Sequence, residues 1–304
     1  MTIQSPYNFK PLRSSSRKLH TIYAPVAQLD RVPVSETGGH RFDSCQARHI
    51  LFLLLLFFSP ISFAEQPWQS PNYILDSFIE IALNNEYSTE ISKVRKWTQP
   101  IHYTITHRTS DQTLHQQLIE LHLAQLADIT GLEISPAQSI EQANLNIIFS
   151  TEQKLSQELK HDFLLHDKQQ VLELSRHSVC LAHFSVFPDS SINRAIVIIP
   201  VDRARAHAKL LSCVVEELTQ IMGLPNDSDK VFPSIFNDKS HDDYLSGLDY
   251  LLLRLLYHPS IKVGMTTAKV KTLLRKIISE DTFQQLIIDS ERLVTQQGLY
   301  RLLN

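Results

Sequence analysis

The sequence predicts an α+β fold in which a mixed sheet carries one central helix and the C-terminal part is helical. Short apolar runs typical of strands alternate with longer runs whose apolar residues recur three and four apart. From about residue 240 onward the pattern predicts helices. The runs that predict strands cover residues 97–107, 144–150 and 195–200.

Two helices are predicted before the central one. Residues 73–83 place Ile, Leu and Phe on one helical face, and residues 111–129 form a longer helix that Gly131 closes. His115 and His122 fall on the longer helix and are predicted to be surface residues. The order strand, helix, strand, strand then leads to the central helix.

The segment between residues 151 and 190 has a less regular pattern. It predicts a helix over residues 155–165 and a short strand over residues 170–174. No internal repeat is present in the chain.

The organising element is an amphipathic helix that ends near Met222. Gly223 supplies a left-handed cap, and Pro225 prevents the helix from resuming. Its apolar stripe consists of Leu210, Leu211, Val214, Val215, Leu218, Ile221 and Met222. A neighbouring stripe carries Cys213, Glu216, Glu217 and Gln220. Two adjacent carboxylates on a mostly apolar helix are not needed for solubility, so they mark a candidate site.

Residues 216–227 resemble the zinc-protease helix H-E-x-x-H-x-x-G-x-x-H/D. The resemblance places Glu217 at the general-base position and Gly223 at the turn glycine. The zinc-ligand positions hold Glu216, Gln220 and Asn226. The strings EELTQ, GLPND and PSIFND, within residues 90–280, also resemble a bacterial exported family of unknown function that is regarded as zincin-like. The resemblance implies a zincin-like, or metzincin-like, fold with a cleft along the sheet edge.

The downstream segments continue this resemblance. Residues 234–237 stand where metzincins place their methionine-bearing turn, with Phe236 at the methionine position. Residues 245–257 resemble the closing helix of matrixins. Two further helices are predicted over residues 264–280 and 281–304.

The candidate site is a poor match for zinc. A hydrolytic zinc site needs three neutral or anionic ligands and an open position, and amide oxygens are weak zinc ligands. Oxygen-only ligands suit calcium or magnesium better, so zinc is not expected and another divalent cation is left open. Glu217 is the candidate catalytic residue. The candidate cleft consists of Glu216, Glu217, Gln220, Asn226, Asp227 and Asn237. Alternatively, the Asn-Asp pairs at 226–227 and 237–238 only form Asx turns.

Cys180 and Cys213 are predicted to form a disulfide. Removal of a signal segment and everything before it discards Cys45 and leaves two cysteines in an oxidising compartment. The alternative is two independent buried thiols. A catalytic cysteine is rejected, because the adjacent Glu216 would raise the pKa of the Cys213 thiol.

The N-terminal part is predicted not to belong to the fold. Residues 24–48 resemble a transfer-RNA gene translated in the wrong frame, so residues 1–49 are either spurious or a disordered cytoplasmic tail. Residues 50–64 predict a signal peptide rather than an uncleaved anchor, with Ser62 and Ala64 at the cleavage positions. Residues 65–304 are then a single domain.

Composition limits the partners. A net charge of -3 gives no electrostatic basis for nucleic-acid binding, and membrane contact is expected only through the signal segment. The expected location is the periplasm or exterior of a Gram-negative type bacterium, and the expected ligand is an unidentified peptide, glycan or envelope protein.

Three functions remain open. The preferred one is a degenerate metallopeptidase-like scaffold with a non-catalytic binding role in the cell envelope. The second is a metallopeptidase-like hydrolase that uses Glu217 with a non-standard metal site. The third is a structural envelope protein whose cleft is idle.

N-terminal sequencing of native protein is expected to find Glu65 or a near neighbour, because small residues precede it at the cleavage positions. Peptides from residues 1–45 in native material would contradict this prediction.

Overall fold

The computed structural model describes residues 66–84, 92–240 and 242–302. The predicted N-terminal extension (1–49) and signal peptide (50–64) lie outside the described residues. Within them, no helix is both long and apolar enough to cross a membrane. A five-stranded mixed sheet packed with helices confirms the predicted α+β class.

The sheet has the strand order β2-β1-β3-β5-β4. Its strands are β1 (Ile101–His107), β2 (Ile134–Pro136), β3 (Leu145–Ser150), β4 (Leu181–Val186) and β5 (Ile192–Pro200). The first four in this order run parallel, and β4 pairs antiparallel with β5 at one edge. β1, β3 and β5 correspond to the three predicted strands.

Both faces of the central strands are buried, which explains their continuous apolar runs. In β3, Ile147 and Phe149 belong to the main core, whereas Ile148 belongs to a second core on the opposite face. In register with β3, Ile198 of β5 also joins this second core.

The helices surround this sheet. They are α1 (Pro71–Phe78, continued by a π-helical segment Ile79–Leu83), α2 (Gln112–Thr130), α3 (Glu152–His161), α4 (Lys168–His177), α5 (Val201–Ala206), α6 (Leu210–Gln220), α7 (Gly247–Leu256), α8 (Thr267–Ile278) and α9 (Asp281–Thr295). A 3-10 turn follows at Gly298–Leu302. Gly131 caps α2 in the left-handed conformation, as its sequence position predicts. The central helix α6 packs against β4, β5 and α2.

The C-terminal end of α6 is held by two aromatic side chains. Trp97 Nε1 donates to the carbonyl of Ile221 at 2.9 Å, and Tyr257 Oη donates to the carbonyl of Met222 at 2.8 Å. These bonds satisfy carbonyls that have no partner within a helix end. Burial raises the pKa of Tyr257, so its hydroxyl keeps the proton that it donates.

Gly223 turns the chain directly after α6. Its φ is +112°, and a Cβ built on it would lie 2.0 Å from the carbonyl oxygen of Arg95. The backbone approach therefore excludes every residue with a side chain. By contrast, a Cβ on Gly131 would meet nothing within 4 Å, although its φ is also positive at +73°.

The predicted disulfide is confirmed. Cys180 and Cys213 are bonded with an S–S distance of 2.08 Å and a Cα–Cα distance of 5.8 Å. The bond ties the residue before edge strand β4 to the first half of α6. The alternative of two independent thiols is therefore wrong.

The short strand predicted over residues 170–174 is wrong, because this segment lies in α4. Asp167 caps the helix by accepting a hydrogen bond from the backbone N–H of Gln170 at 2.9 Å. Val171 and Leu174 then share a buried face at helical spacing.

The predicted exposure of His115 and His122 is also wrong, since both are 0 % exposed. His122 Nε2 lies 3.2 Å from the carbonyl oxygen of Val215 and 3.1 Å from Thr219 Oγ1, so it joins α2 to α6. Burial lowers the pKa of His122 to about 4. The His115 ring stacks on Phe149 with 4.1 Å between ring centroids.

The Gly223→Ala variant is expected to lose at least about 3 kcal/mol of unfolding free energy, from a strained φ together with overlap of Cβ with Arg95. The control Gly131→Ala has only the strained φ and is expected to lose about 1–2 kcal/mol. Urea unfolding of both variants measures this, and equal losses would contradict the role assigned to the close approach.

Candidate functional site

Four carboxylates gather at the second half of α6 and on the loop that follows it. We call Glu216, Glu217, Asp227 and Asp238 the acidic cluster. Glu217 is only 6 % exposed, Glu216 and Asp227 are half-buried, and Asp238 is exposed. The cluster thus runs from a buried floor at Glu217 to the surface.

The helix and the loop are joined by Gln220. Its Nε2 donates to Asp227 Oδ1 at 2.8 Å, which places Asp227 beside the final turn of α6. The neighbouring Asn226 faces elsewhere, because its Nδ2 donates to the carbonyl of Ile81 at 2.9 Å. Asn226 therefore anchors the loop to the π-helical segment after α1 instead of contributing its amide to the cluster.

Asn237 also has a structural role in the loop. Its Nδ2 donates to the carbonyl of Val231 at 2.8 Å, and its Oδ1 accepts a bond from the N–H of Lys239 at 2.9 Å. The second bond forms an Asx turn around Asp238. The Asx-turn alternative thus holds at Asn237, while the Asn226 side chain bonds to a distant carbonyl.

Asp249, which was not predicted from the sequence, is hydrogen-bonded to the same loop. Its carboxylate accepts bonds from Ser234 Oγ at 2.6 Å and from the N–H of Ile235 at 3.0 Å. Burial raises the pKa of Asp249 to about 6, and the bonds from Ser234 and Ser246 oppose the rise. The capping box of Ser246 and Asp249 at the start of α7 was the available signal.

Burial and mutual repulsion make the cluster hard to ionise. Burial raises the pKa of Glu217 well above its usual range, and the charges of Asp227 and Asp238 add to this rise. The pKa of Glu216 rises for the same reasons. Burial, followed by repulsion from Asp238, raises the pKa of Asp227 to about 7, although the Gln220 hydrogen bond lowers it.

One buried acceptor beside the cluster has no donor. Gln220 Oε1 is buried and has no partner among the described residues, and no described residue donates a hydrogen bond to the Glu217 carboxylate, whose oxygens are not fully buried. Lys230 pairs with Glu80, and Lys239 pairs with Asp229. Because buried polar groups are normally satisfied, the Gln220 oxygen needs an explanation.

A zinc ion, which the resemblance to the zinc-protease helix would imply, does not fit these residues. The Gln220 and Asn226 amide groups, at two ligand positions, donate to Asp227 and Ile81. Within the described ranges, no three or more His, Cys, Asp or Glu side chains are placed to hold a metal ion. That purified protein lacks stoichiometric zinc stays a prediction.

A recess of about 420 Å³ is lined by Pro71, Asn72, Leu75, Arg275, Ile278, Ser279 and Gln284, none of which belongs to the cluster.

Comparisons with known proteins identify a family but no activity. No curated protein matches the chain. A family model described as a protein of unknown function matches residues 71–276, a range that includes the sheet and the acidic cluster.

Asp227→Asn is expected to reduce the loss of thermal stability between about pH 4 and pH 7. A carboxyl whose folded pKa is about 7, above an unfolded value of about 3.9, stabilises the fold fully at low pH. That stability is lost as the pH rises through this window. Asparagine keeps an oxygen that can accept the Gln220 bond and has no charge.

Melting temperatures across this range test the prediction. His122 titrates in the opposite sense, since its folded pKa of about 4 lies below the unfolded value, but it is present in both proteins. The exposed Asp128→Asn variant is the matched control and should follow the wild type. Parallel curves for wild type and Asp227→Asn would contradict the raised pKa.

Proposed function

Because this chain belongs to the DUF2927 family of proteins of unknown function, we propose a function from the chemistry of its own site. The proposal is an exported, non-catalytic binding protein of the cell envelope, with the acidic cluster as its binding site. The observation that carries it is the buried Gln220 Oε1, which has no partner among the described residues and lies on the same helix as Glu217. A buried polar atom without a partner costs free energy, so its retention is best explained by a ligand that brings the missing donor.

The scaffold of the proposal is a degenerate zincin-like fold. Its support is the position of α6, which packs against β4 and β5 where the sheet ends in an antiparallel edge strand. Glu216 and Glu217 lie in the second half of this helix, beside the loop that carries Asp227. A site built on a rigid helix and a tied loop holds its groups in place better than a site on loops alone.

Export is supported by the Cys180–Cys213 disulfide, because such bonds persist in oxidising compartments. The proposed route is the apolar segment 50–64, which lies outside the described residues. An idle structural role explains the disulfide equally well, but it leaves the unsatisfied Gln220 oxygen without a reason.

A hydrolase that uses Glu217 is the second candidate. The pKa of about 7 at Asp227 favours it, since a general acid or base works best when its pKa is near the working pH. Binding is preferred because, within the described ranges, no three or more His, Cys, Asp or Glu side chains are placed to hold a metal ion.

Immobilised protein is expected to retain a subset of a random peptide library or a set of envelope glycans without cleaving them. Glu217→Gln should lower retention about tenfold or more, because one charge-assisted contact contributes about 1.5–3 kcal/mol. The exposed Glu133→Gln variant is the matched control and should behave as wild type. Mass spectrometry of the retained and released fractions measures both binding and cleavage.

Two results would contradict the proposal. New termini produced by wild type and absent with Glu217→Gln would establish the hydrolase instead. Equal retention by wild type and Glu217→Gln would remove the acidic cluster from the function.

A further inference from the structure

We propose that the acidic cluster binds the guanidinium group of an arginine side chain presented by a peptide or protein partner. This inference rests on the proposed binding function and names the chemistry of its ligand. It rests on three observations: which atoms of the site donate or accept hydrogen bonds, how exposure decreases from Asp238 to Glu217, and how the oxygens are distributed over a helix and a loop.

The inventory requires a ligand that donates hydrogen bonds. The amide oxygen of Gln220 only accepts, and so do the carboxylates once a cation has ionised them. Gln220 is 3 % exposed, its Nε2 is bonded to Asp227, and its Oε1 is buried without a partner. A ligand that only accepts hydrogen bonds, such as a carboxylate or phosphate, would leave the Gln220 oxygen unsatisfied.

The charge balance requires the ligand to be positive. Glu217 is in electrostatic contact with Asp227 and Asp238, and each neighbour makes its ionisation harder. A cation placed among them reverses this repulsion and lets the buried carboxylates ionise. Lys209 acts on Glu216 alone, and it is the weakest of the influences on that residue.

An organic cation fits the geometry better than a metal ion. A calcium ion needs its oxygen ligands to converge at roughly 2.3–2.6 Å from one point. Within the described ranges no acidic trio converges in this way. A guanidinium instead bonds oxygens that are spread apart, each to a separate N–H at about 2.7–2.9 Å.

The number of acceptors favours guanidinium over ammonium. Glu217 offers two oxygens and Gln220 one, and the half-buried Glu216 lies beside them. A guanidinium carries five N–H donors in a planar fork that matches a carboxylate, whereas an ammonium carries three. Exposure decreases from Asp238 at the surface to the buried Glu217. A long side chain with its charged group at the end matches this arrangement.

Isothermal titration of the purified protein tests the proposal with capped Gly-Arg-Gly as the probe. The assay is run at about pH 8, where Asp227 is ionised. The same peptide with citrulline in place of arginine keeps the shape and loses the charge. We expect citrulline to bind about 10- to 100-fold more weakly, and lysine about tenfold more weakly than arginine.

The variants locate the site. Glu217→Gln and Asp227→Asn should each weaken arginine binding about tenfold or more. The less buried Glu216→Gln provides a further test if Glu217→Gln fails to fold. Asp128→Asn and Glu133→Gln, which remove exposed carboxylates elsewhere, should bind as wild type.

Several outcomes would overturn the proposal. Equal binding of the arginine and citrulline peptides would remove the guanidinium from recognition. Calcium or magnesium that binds alone and displaces the peptide would establish a metal site. Tighter binding of spermidine than of the peptide would assign the site to free polyamines. Retention of library peptides without arginine enrichment would sink this inference while leaving the proposed binding function intact.

Discussion

The close packing of the chain against the end of α6 is the constraint on which the site depends. Gly223 passes within van der Waals distance of the Arg95 carbonyl, and Trp97 and Tyr257 cap the last carbonyls of the helix. These contacts set the direction in which the chain leaves α6. The loop therefore returns along the helix, and Asp227 reaches Gln220.

Beside this turn, the carboxyl groups of the acidic cluster lie close together in a partly buried site. Three devices keep them there: the disulfide at Cys213, the amide of Gln220, and the buried Asp249 under the loop. Such an arrangement works against stability, because the charges of Asp227 and Asp238 raise the pKa of both glutamates. Proteins retain features of this kind mainly where a ligand compensates for them.

Much of the fold could be predicted because its signals are local. Gly131 ends α2 where the periodic run stops, and β3 and β5 follow from dense apolar runs. The segment 170–174 was predicted wrongly as a strand, because Val-Leu-Glu-Leu fits a strand period as well as a helical one. Only the cap at Asp167 distinguishes the helix from the strand. The exposure of His115 and His122 was predicted wrongly, because the polarity of a side chain does not reveal whether it has a partner on a neighbouring helix.

By itself the sequence determined the helix that carries Glu216 and Glu217, the glycine that ends it, and the pairing of Cys180 with Cys213. Each depends on residue type and spacing along the chain. Only the tertiary structure decided that Asn226 turns towards Ile81, that Asp238 joins Asp227 and the glutamates, and that Asp249 supports them. The physical reason is that burial and charge proximity depend on contacts between segments far apart in sequence, which no local pattern encodes.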